Sequence, residues 1–191
     1  MRTAKVERST KETDITVNLN IDGDACNIST GIGFFDHMLT AFAVHGGFGL
    51  TVKAAGDLNV DGHHTVEDVG IVLGQAFSKA LGDKAGIARY GSFYIPMDES
   101  LALCVVDLSG RPFLVFDDPF SGQMIGEFDS SLVTEFLRAF AYNAGITLHM
   151  NVVYGKNAHH MAEAIFKALG HAMKTACTET GSNVLSTKGV L

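Results

Sequence analysis

The sequence predicts an α+β fold built by internal duplication, two ββαβα halves whose sheets carry helices packed on one face. Three observations carry this. Strand-period and helix-period segments follow one another in the same order twice. Leu39-Thr40-Ala41-Phe42-Ala43 returns as Leu137-Arg138-Ala139-Phe140-Ala141, and Gly47-Phe48-Gly49-Leu50 as Gly145-Ile146-Thr147-Leu148. A histidine doublet followed by glutamate, His63-His64-Thr65-Val66-Glu67, returns as His159-His160-Met161-Ala162-Glu163, with Leu73-Gly74 and Leu169-Gly170 beyond it. Two copies are too few for a solenoid. Halves of this size, residues 1–88 and 89–191, would each bury too little alone and are expected to pack as one unit.

In the first half, Ala4 to Ser9 and Thr13 to Ile21 read as strands. Ile15, Val17, Leu19 and Ile21 alternate with polar residues, the period of a sheet with one wet face. Lys11-Glu12 lies at the turn between them. Cys26 to Gly33 is polar and shows no period. Phe34 to His45 reads as a helix with Phe35, Met38, Leu39 and Phe42 on one stripe, stopped by Gly46-Gly47. Phe48 to Ala55 is strand-like, Gly56 to Gly62 a turn-rich connection, and His64 to Leu81 a second helix. After a linker, Lys84 to Tyr90, the order repeats. Ser92 to Pro96, Leu101 to Leu108 and Phe113 to Phe116 are strands, and Phe120 to Phe128 is a loop. Ser131 to Asn143 is a helix, Ile146 to Val153 a strand, and His159 to about Thr178 the last helix. The tail from Gly181 is polar and irregular.

A hydrophobic content of 47% is ample for a packed core, and a charged content of only 18% suits subunit contacts. The net charge of −7 disfavours nucleic acid or an anionic membrane as partner, since neither attracts an acidic surface. Cys26, Cys104 and Cys177 form no CxxC pair, which fits reduced thiols in a cytoplasmic protein. The N-terminus does not read as a secretory leader. No apolar run approaches the ~18 residues that a membrane span needs.

The chemistry lies in the repeated doublets. On a helix, His63 and His64 both neighbour Glu67, at i+4 and i+3, but the two histidines diverge by about 100°. Adjacent histidines therefore suit two different ions better than one. His159, His160 and Glu163 repeat the geometry, so a pair of metal sites drawing on both halves is expected. Imidazole and carboxylate without thiolate suit Mn, Fe, Zn, Ni or Co and single out none of them. His37 is a further candidate ligand, and its duplicate position, Glu135, offers another ligating side chain. Arg89, Arg111 and Lys188 stand in loops, where arginine, lysine and serine donors can hold an oxyanion such as phosphate.

Taken together, Gly33-Phe34-Phe35-Asp36-His37-Met38-Leu39, Asp61-Gly62-His63-His64-Thr65-Val66-Glu67-Asp68, Met97-Asp98-Glu99, Asp107-Leu108-Ser109-Gly110-Arg111-Pro112 and Ser186-Thr187-Lys188-Gly189 resemble the imidazoleglycerol-phosphate dehydratase family along essentially the whole chain. The resemblance implies a duplicated α+β half-domain, a 24-subunit homo-oligomer and two Mn2+ ions per active site. It implies loss of water from imidazole glycerol phosphate to give imidazole acetol phosphate, in histidine biosynthesis. By motif, the metal ligands would be His37, His63, His64, Glu67, Glu135, His159, His160 and Glu163. Some members carry histidine where this chain has Glu135. Glu12 matches the acid/base, and the catalytic set would be Glu12, His63 and Glu163. Substrate and phosphate contacts would be Glu12, His37, His45, Arg89, Arg111, Lys167, Ser186 and Lys188. Some bacterial relatives add a phosphatase domain for which 191 residues leave no room, so a monofunctional chain is expected.

That chemistry accounts for the parts. No carbonyl flanks the C–H bond to be broken, so no ordinary enolate is available. The imidazole ring becomes an electron sink if metals bind its nitrogens and hold it as imidazolate. Two rivals compete: another dinuclear metalloenzyme such as a hydrolase, and a metal-binding assembly protein without catalysis. A substrate panel separates the first. The loop cations speak against the second, since a structural metal site needs no phosphate clamp.

Overall fold

A computed structural model describes residues 1–189. Among these, the first half runs β1 (Thr3–Ser9), β2 (Thr13–Asn20), β3 (Cys26–Ser29), α1 (Gly33–Gly46), β4 (Gly49–Gly56) and α2 (His63–Leu81). The second runs β5 (Tyr90–Met97), β6 (Ser100–Asp107), β7 (Phe113–Val115), a short hairpin of β8 (Met124–Ile125) and β9 (Phe128–Asp129), then α3 (Leu132–Ala144), β10 (Thr147–Tyr154) and α4 (Ala158–Cys177). The ββαβα order holds in both halves, with one further sheet strand ahead of each first helix and, in the second half, the β8–β9 hairpin as well. This strand, β3 or β7, pairs in parallel with β4 or β10 at a sheet edge. Cys26-Asn27-Ile28-Ser29 was not legible as a strand because it is short and largely exposed, so no alternation develops.

The sheets repeat strand for strand, in the orders β1-β2-β4-β3 and β5-β6-β10-β7. Val17 faces Val52 in the first, and Cys104 faces Met150 in the second. On β2, Thr13, Ile15, Val17 and Leu19 point inward; on β6, Ser100, Ala102, Cys104 and Val106 do. α2 covers β1 and β2, and α4 covers β5 and β6. The first helix of each half packs against the last helix of the other, α1 on α4 and α3 on α2. Phe42, Phe77, Phe136, Phe140 and Phe166 are fully buried. Phe140 takes Phe42 and Phe77 edge-on, and Phe136 meets Phe35 edge-on, so aromatic contacts bridge the halves. One core therefore serves both.

Glycine sets the spacing of the two helix seams. A Cβ on Gly74 of α2 would lie 2.7 Å from the Phe140 carbonyl oxygen and 2.8 Å from the Ala144 nitrogen of α3. A Cβ on Gly170 of α4 would lie 2.6 Å from the Phe42 carbonyl oxygen and 3.0 Å from the Gly46 nitrogen of α1. These are duplicate positions in duplicate contacts. Close approach at both seams is thus a property of the repeat, and it brings the faces of paired helices within reach of common ligands.

The tail is irregular but anchored. Thr180 N–H donates to the Gly86 carbonyl at 2.7 Å, and Gly86 N–H to that of Asn183 at 3.0 Å. Among the described residues no helix is long and apolar enough to cross a membrane.

Candidate metal centre and active site

Both doublets open their helices in the same way. Asp61 Oδ1 accepts from His63 N–H at 2.7 Å, and Asn157 Oδ1 accepts from His159 N–H at 2.9 Å. The acceptor two residues upstream satisfies an otherwise unpaired helix donor and fixes where the doublet begins. The ring planes within each doublet are nearly perpendicular, 84° for His63 and His64 and 79° for His159 and His160. The two side chains of each doublet also reach different partners, His63 Glu67 and His64 Asp57, and His159 Glu163 and His160 Glu99.

The first histidine of the second doublet turns into the α1–α4 seam. Glu163 Oε2 lies 3.3 Å from His159 Nε2 and 3.5 Å from His37 Nε2. The three ligand atoms fall within 4.8 Å of one another. Glu163 is buried, which works to raise its pKa. Lys167 Nζ, 2.7 Å from Oε1, and the nearby His37 outweigh that and hold it below the ordinary value. The donors are two imidazoles and an ionised carboxylate from two helices of different halves, a set that suits Mn, Fe, Zn, Ni or Co and singles out none of them.

In the other half His63 Nε2 lies 3.6 Å from Glu67 Oε2. Glu135, the duplicate of His37, is not brought to them, because its carboxylate accepts from Arg138 Nη1 at 2.6 Å. Among the described residues the three-ligand cluster therefore forms on one seam only.

The second histidines face carboxylates. His64 Nδ1 is 3.0 Å from Asp57 and 3.7 Å from Glu12, and His160 Nδ1 is 2.7 Å from Glu99. These contacts raise both histidines above the usual value, the Asp57 bond leading for His64 and the Glu99 bond for His160. The His160 bond, joined by Asn157 N–H, also holds Glu99 far below the carboxylate range. A carboxylate on Nδ1 leaves Nε2 as the nitrogen that can ligate. Asp57 and Glu99 were not singled out as orienting groups, and only the Met97-Asp98-Glu99 motif gave a signal for one of them.

Glu12 and Glu99 occupy duplicate places in the β1–β2 and β5–β6 turns, but their settings differ. Lys156 and Asn157 N–H groups and His160 tie Glu99 down. Asp57 takes the corresponding histidine in the first half, whereas the bulge in β10 aligns Gly155 with Gly56, so Lys156 stands at its duplicate position in the second. Glu12 keeps a side chain that is 56% exposed. Its turn is anchored to α2 by the buried Asp68, which accepts from Arg8 Nε at 2.9 Å and from Thr13 Oγ1.

The loop cations lie together. Arg89, Arg111, Ser186 and Lys188 line one open cleft of about 700 Å³. Arg89 holds a left-handed φ of 70°, a strained position for a non-glycine residue. Asp107 Oδ1 accepts from its Nε at 2.7 Å, and the Leu185 carbonyl accepts from Nη1 at 2.6 Å, so the guanidinium also ties the tail to the cleft. Arg111 reaches Asp107 at 3.6 Å and is mostly exposed. His45 closes the last turn of α1, its Nδ1 3.2 Å from His171 Nε2. The sequence reading did not single out His171.

Residues 30–173 match the family model described as imidazoleglycerol-phosphate dehydratase. Enzymes of that name from Acetivibrio thermocellus and Thermoanaerobacter pseudethanolicus are 58% and 59% identical to the chain. Each alignment covers 100% of this chain and 99% or 100% of the relative. The chain belongs to the imidazoleglycerol-phosphate dehydratase family. Crystal structures agree at the level of the fold. Imidazoleglycerol-phosphate dehydratase from Staphylococcus aureus superposes with a TM-score of 0.85 at 43% identity, over 93% of this chain and 99% of that one. The Pyrococcus furiosus protein, in complex with (S)-C348, also gives 0.85, at 40% identity over 97% and 100%. As an imidazoleglycerol-phosphate dehydratase family member the chain is an enzyme of the hydro-lyase class, acting on a small imidazole substrate.

Proposed function

We propose that the chain removes water from imidazole glycerol phosphate, giving imidazole acetol phosphate for histidine biosynthesis, at a site that holds two Mn2+ ions. The observation carrying this reading is the convergence of His37, His159 and Glu163 across the seam between the halves, in a chain of this family. His63, His64, Glu67, Glu135 and His160 are the further ligands we assign. When bound, the ions would supply Lewis acidity that makes the substrate's ring an electron sink.

The chain's own residues do the rest. Arg89, Arg111, Ser186, Lys188 and His45 hold the phosphate with hydrogen bonds, charge-assisted where the donor is a cation, and Lys167 is a further substrate contact. This fixes which C–H bond meets the base. Glu12 is the group we assign to take that proton. Its duplicate, Glu99, is occupied by His160 and two backbone N–H groups, whereas Asp57 relieves Glu12 of that task. Overall, one C–H and one C–O bond of the glycerol chain break, water leaves, and the resulting enol gives up its O–H proton as its carbon gains one, which makes the ketone.

Neither His64 nor His160 shares in the His37 cluster, so among the described residues their ligand sets are incomplete. Exposed Tyr94, Val105, Val115 and Tyr154 on the second sheet add apolar surface that another copy can cover. Both features support a homo-oligomer, of 24 subunits by family likeness, with ligands shared between copies in the cytoplasm. The test is turnover of imidazole glycerol phosphate by metal-stripped protein before and after Mn2+ is restored. Recovery supports the reading, and activity that survives stripping contradicts it.

A further inference from the structure

The face of α4 that carries Glu163 continues past it. His159, Glu163, Lys167 and His171 are spaced four residues apart and line one stripe of the helix. Opposite them on α1, His37 and His45 are eight residues apart, about 12 Å along the axis. His37 meets Glu163 at one end, and at the other His45 Nδ1 meets His171 Nε2 at 3.2 Å. The His45 and His171 rings are set edge to face at 62°. Phe93 of β5 lies flat on His171, with centroids 4.3 Å apart and planes 12° from parallel. The His171 ring is thus fixed by a stack and cannot turn freely to suit its neighbour.

We propose that His171 is a positioning residue for His45, donating its Nε2–H to His45 Nδ1 and thereby holding that ring with its own Nε2–H available to the phosphorylated substrate. This rests on the reading of His45 as a substrate contact. Two neutral imidazoles in contact place one proton between them, so one ring donates and the other accepts. A phosphate only accepts, so His45 must offer Nε2–H to it, which leaves Nδ1 as the acceptor. Burial lowers the pKa of both rings. Lys167 adds to this at His45 against an opposing Glu163, and His45 and Lys174 add to it at His171, so the neutral pair is favoured.

The duplicate seam supports the direction of the bond. Gln75 and Asn143 stand where His171 and His45 stand in the other half, and Gln75 Nε2 donates to Asn143 Oδ1 at 3.3 Å. The donor is on the last helix of its half in both cases. Ile71 stands where α4 has Lys167. An interhelical hydrogen bond therefore belongs to the repeat, and imidazoles replace amides only on the seam that carries His37, Glu163 and Lys167.

The test is steady-state kinetics of the Mn-loaded enzyme with imidazole glycerol phosphate, with metal content and thermal midpoint measured in parallel. His171→Ala should raise KM about three- to tenfold and leave kcat within about twofold, the worth of one hydrogen bond. His171→Gln keeps an N–H donor but not the ring on Phe93, and should bring KM back to within about twofold of the wild type. In a His45→Ala background, His171→Ala should add less than about twofold, because coupled residues are not additive. An unchanged KM in His171→Ala, an equal effect in both backgrounds, or failure of Gln to rescue overturns the proposal while the reaction stands. A His45→Ala variant kinetically identical to wild type overturns the His45 assignment and this proposal together. Absence of turnover by the Mn-loaded wild type overturns the functional reading and the proposal with it.

Discussion

Replacing Gly170 by alanine tests whether the helix seam sets the metal cluster. The added methyl would sit 2.6 Å from the Phe42 carbonyl oxygen, so α1 and α4 must part by about 0.4 Å or more to bring that contact to 3.0 Å. Overpacking of this kind costs about 1–3 kcal/mol. Alanine's better helix propensity returns about 1 kcal/mol. The net loss is about 0–2 kcal/mol, which lowers the thermal midpoint of the metal-free protein by up to about 8 °C at this chain length. Gly74→Ala makes the twin contact, 2.7 Å from the Phe140 carbonyl oxygen, and should cost about as much.

The two variants should differ in metal binding. Gly170→Ala moves His37 away from His159 and Glu163, and ligand geometry is sensitive to shifts of about 0.5 Å. Gly74→Ala moves α2 against α3, where the three-ligand cluster is not assembled. Titration of the metal-free proteins with Mn2+ by calorimetry should therefore show weaker binding at the tightest site for Gly170→Ala and a smaller change for Gly74→Ala. Equal loss of Mn2+ affinity in the two variants, or none in Gly170→Ala despite a lowered midpoint, would refute the link between this seam and the site.

Glu12→Gln should cut turnover by about 100-fold or more with bound metal unchanged, as measured by elemental analysis beside kinetics; near-normal turnover rules out Glu12 as the base. Glu99→Gln should instead reduce bound manganese, because it removes the carboxylate that orients His160. Arg111→Ala should raise KM about tenfold or more and spare kcat, since loop cations grip the substrate in both ground and transition states. For the half-buried His45–His171 pair, lowered pKa values mean that the native state resists protonation. Stability is then full above the ordinary histidine value near 6.5 and is lost as pH falls from there toward the folded values. In metal-free protein, denaturant midpoints of the wild type should drop more steeply between pH 7 and pH 5 than those of His171→Gln.

The duplication was legible because its apolar stripes and glycine stops recur in one frame. It extended to the seam glycines, since Leu73-Gly74 and Leu169-Gly170 were part of the match. The divergence of adjacent histidines followed from helix geometry alone. β3 escaped because a short edge strand with little buried surface has no alternation to read. Asp57 and Glu99 escaped for another reason. They lie in turns 7 and 61 residues from the histidines they orient, and no periodicity links a turn carboxylate to a distant imidazole. His171 sits between apolar residues of a long helix, where only packing against α1 and Phe93 reveals a role.

What the duplication conserves and what it varies point to a division of labour. Both halves keep the capped doublet, the seam glycine and an interhelical hydrogen bond. They differ where chemistry needs one group and not two. Glu12 is exposed while Glu99 is tied, Lys167 answers Ile71, and the His45–His171 pair answers Asn143–Gln75. A symmetric site would present two bases to one substrate and could not fix which proton leaves. Breaking the symmetry at Asp57 and Lys156 leaves one glutamate available on the first half, and it confines the lysine and the histidine pair to the α1–α4 seam. A substrate with a ring at one end and a phosphate at the other would then have only one productive orientation, because its two ends meet unlike groups.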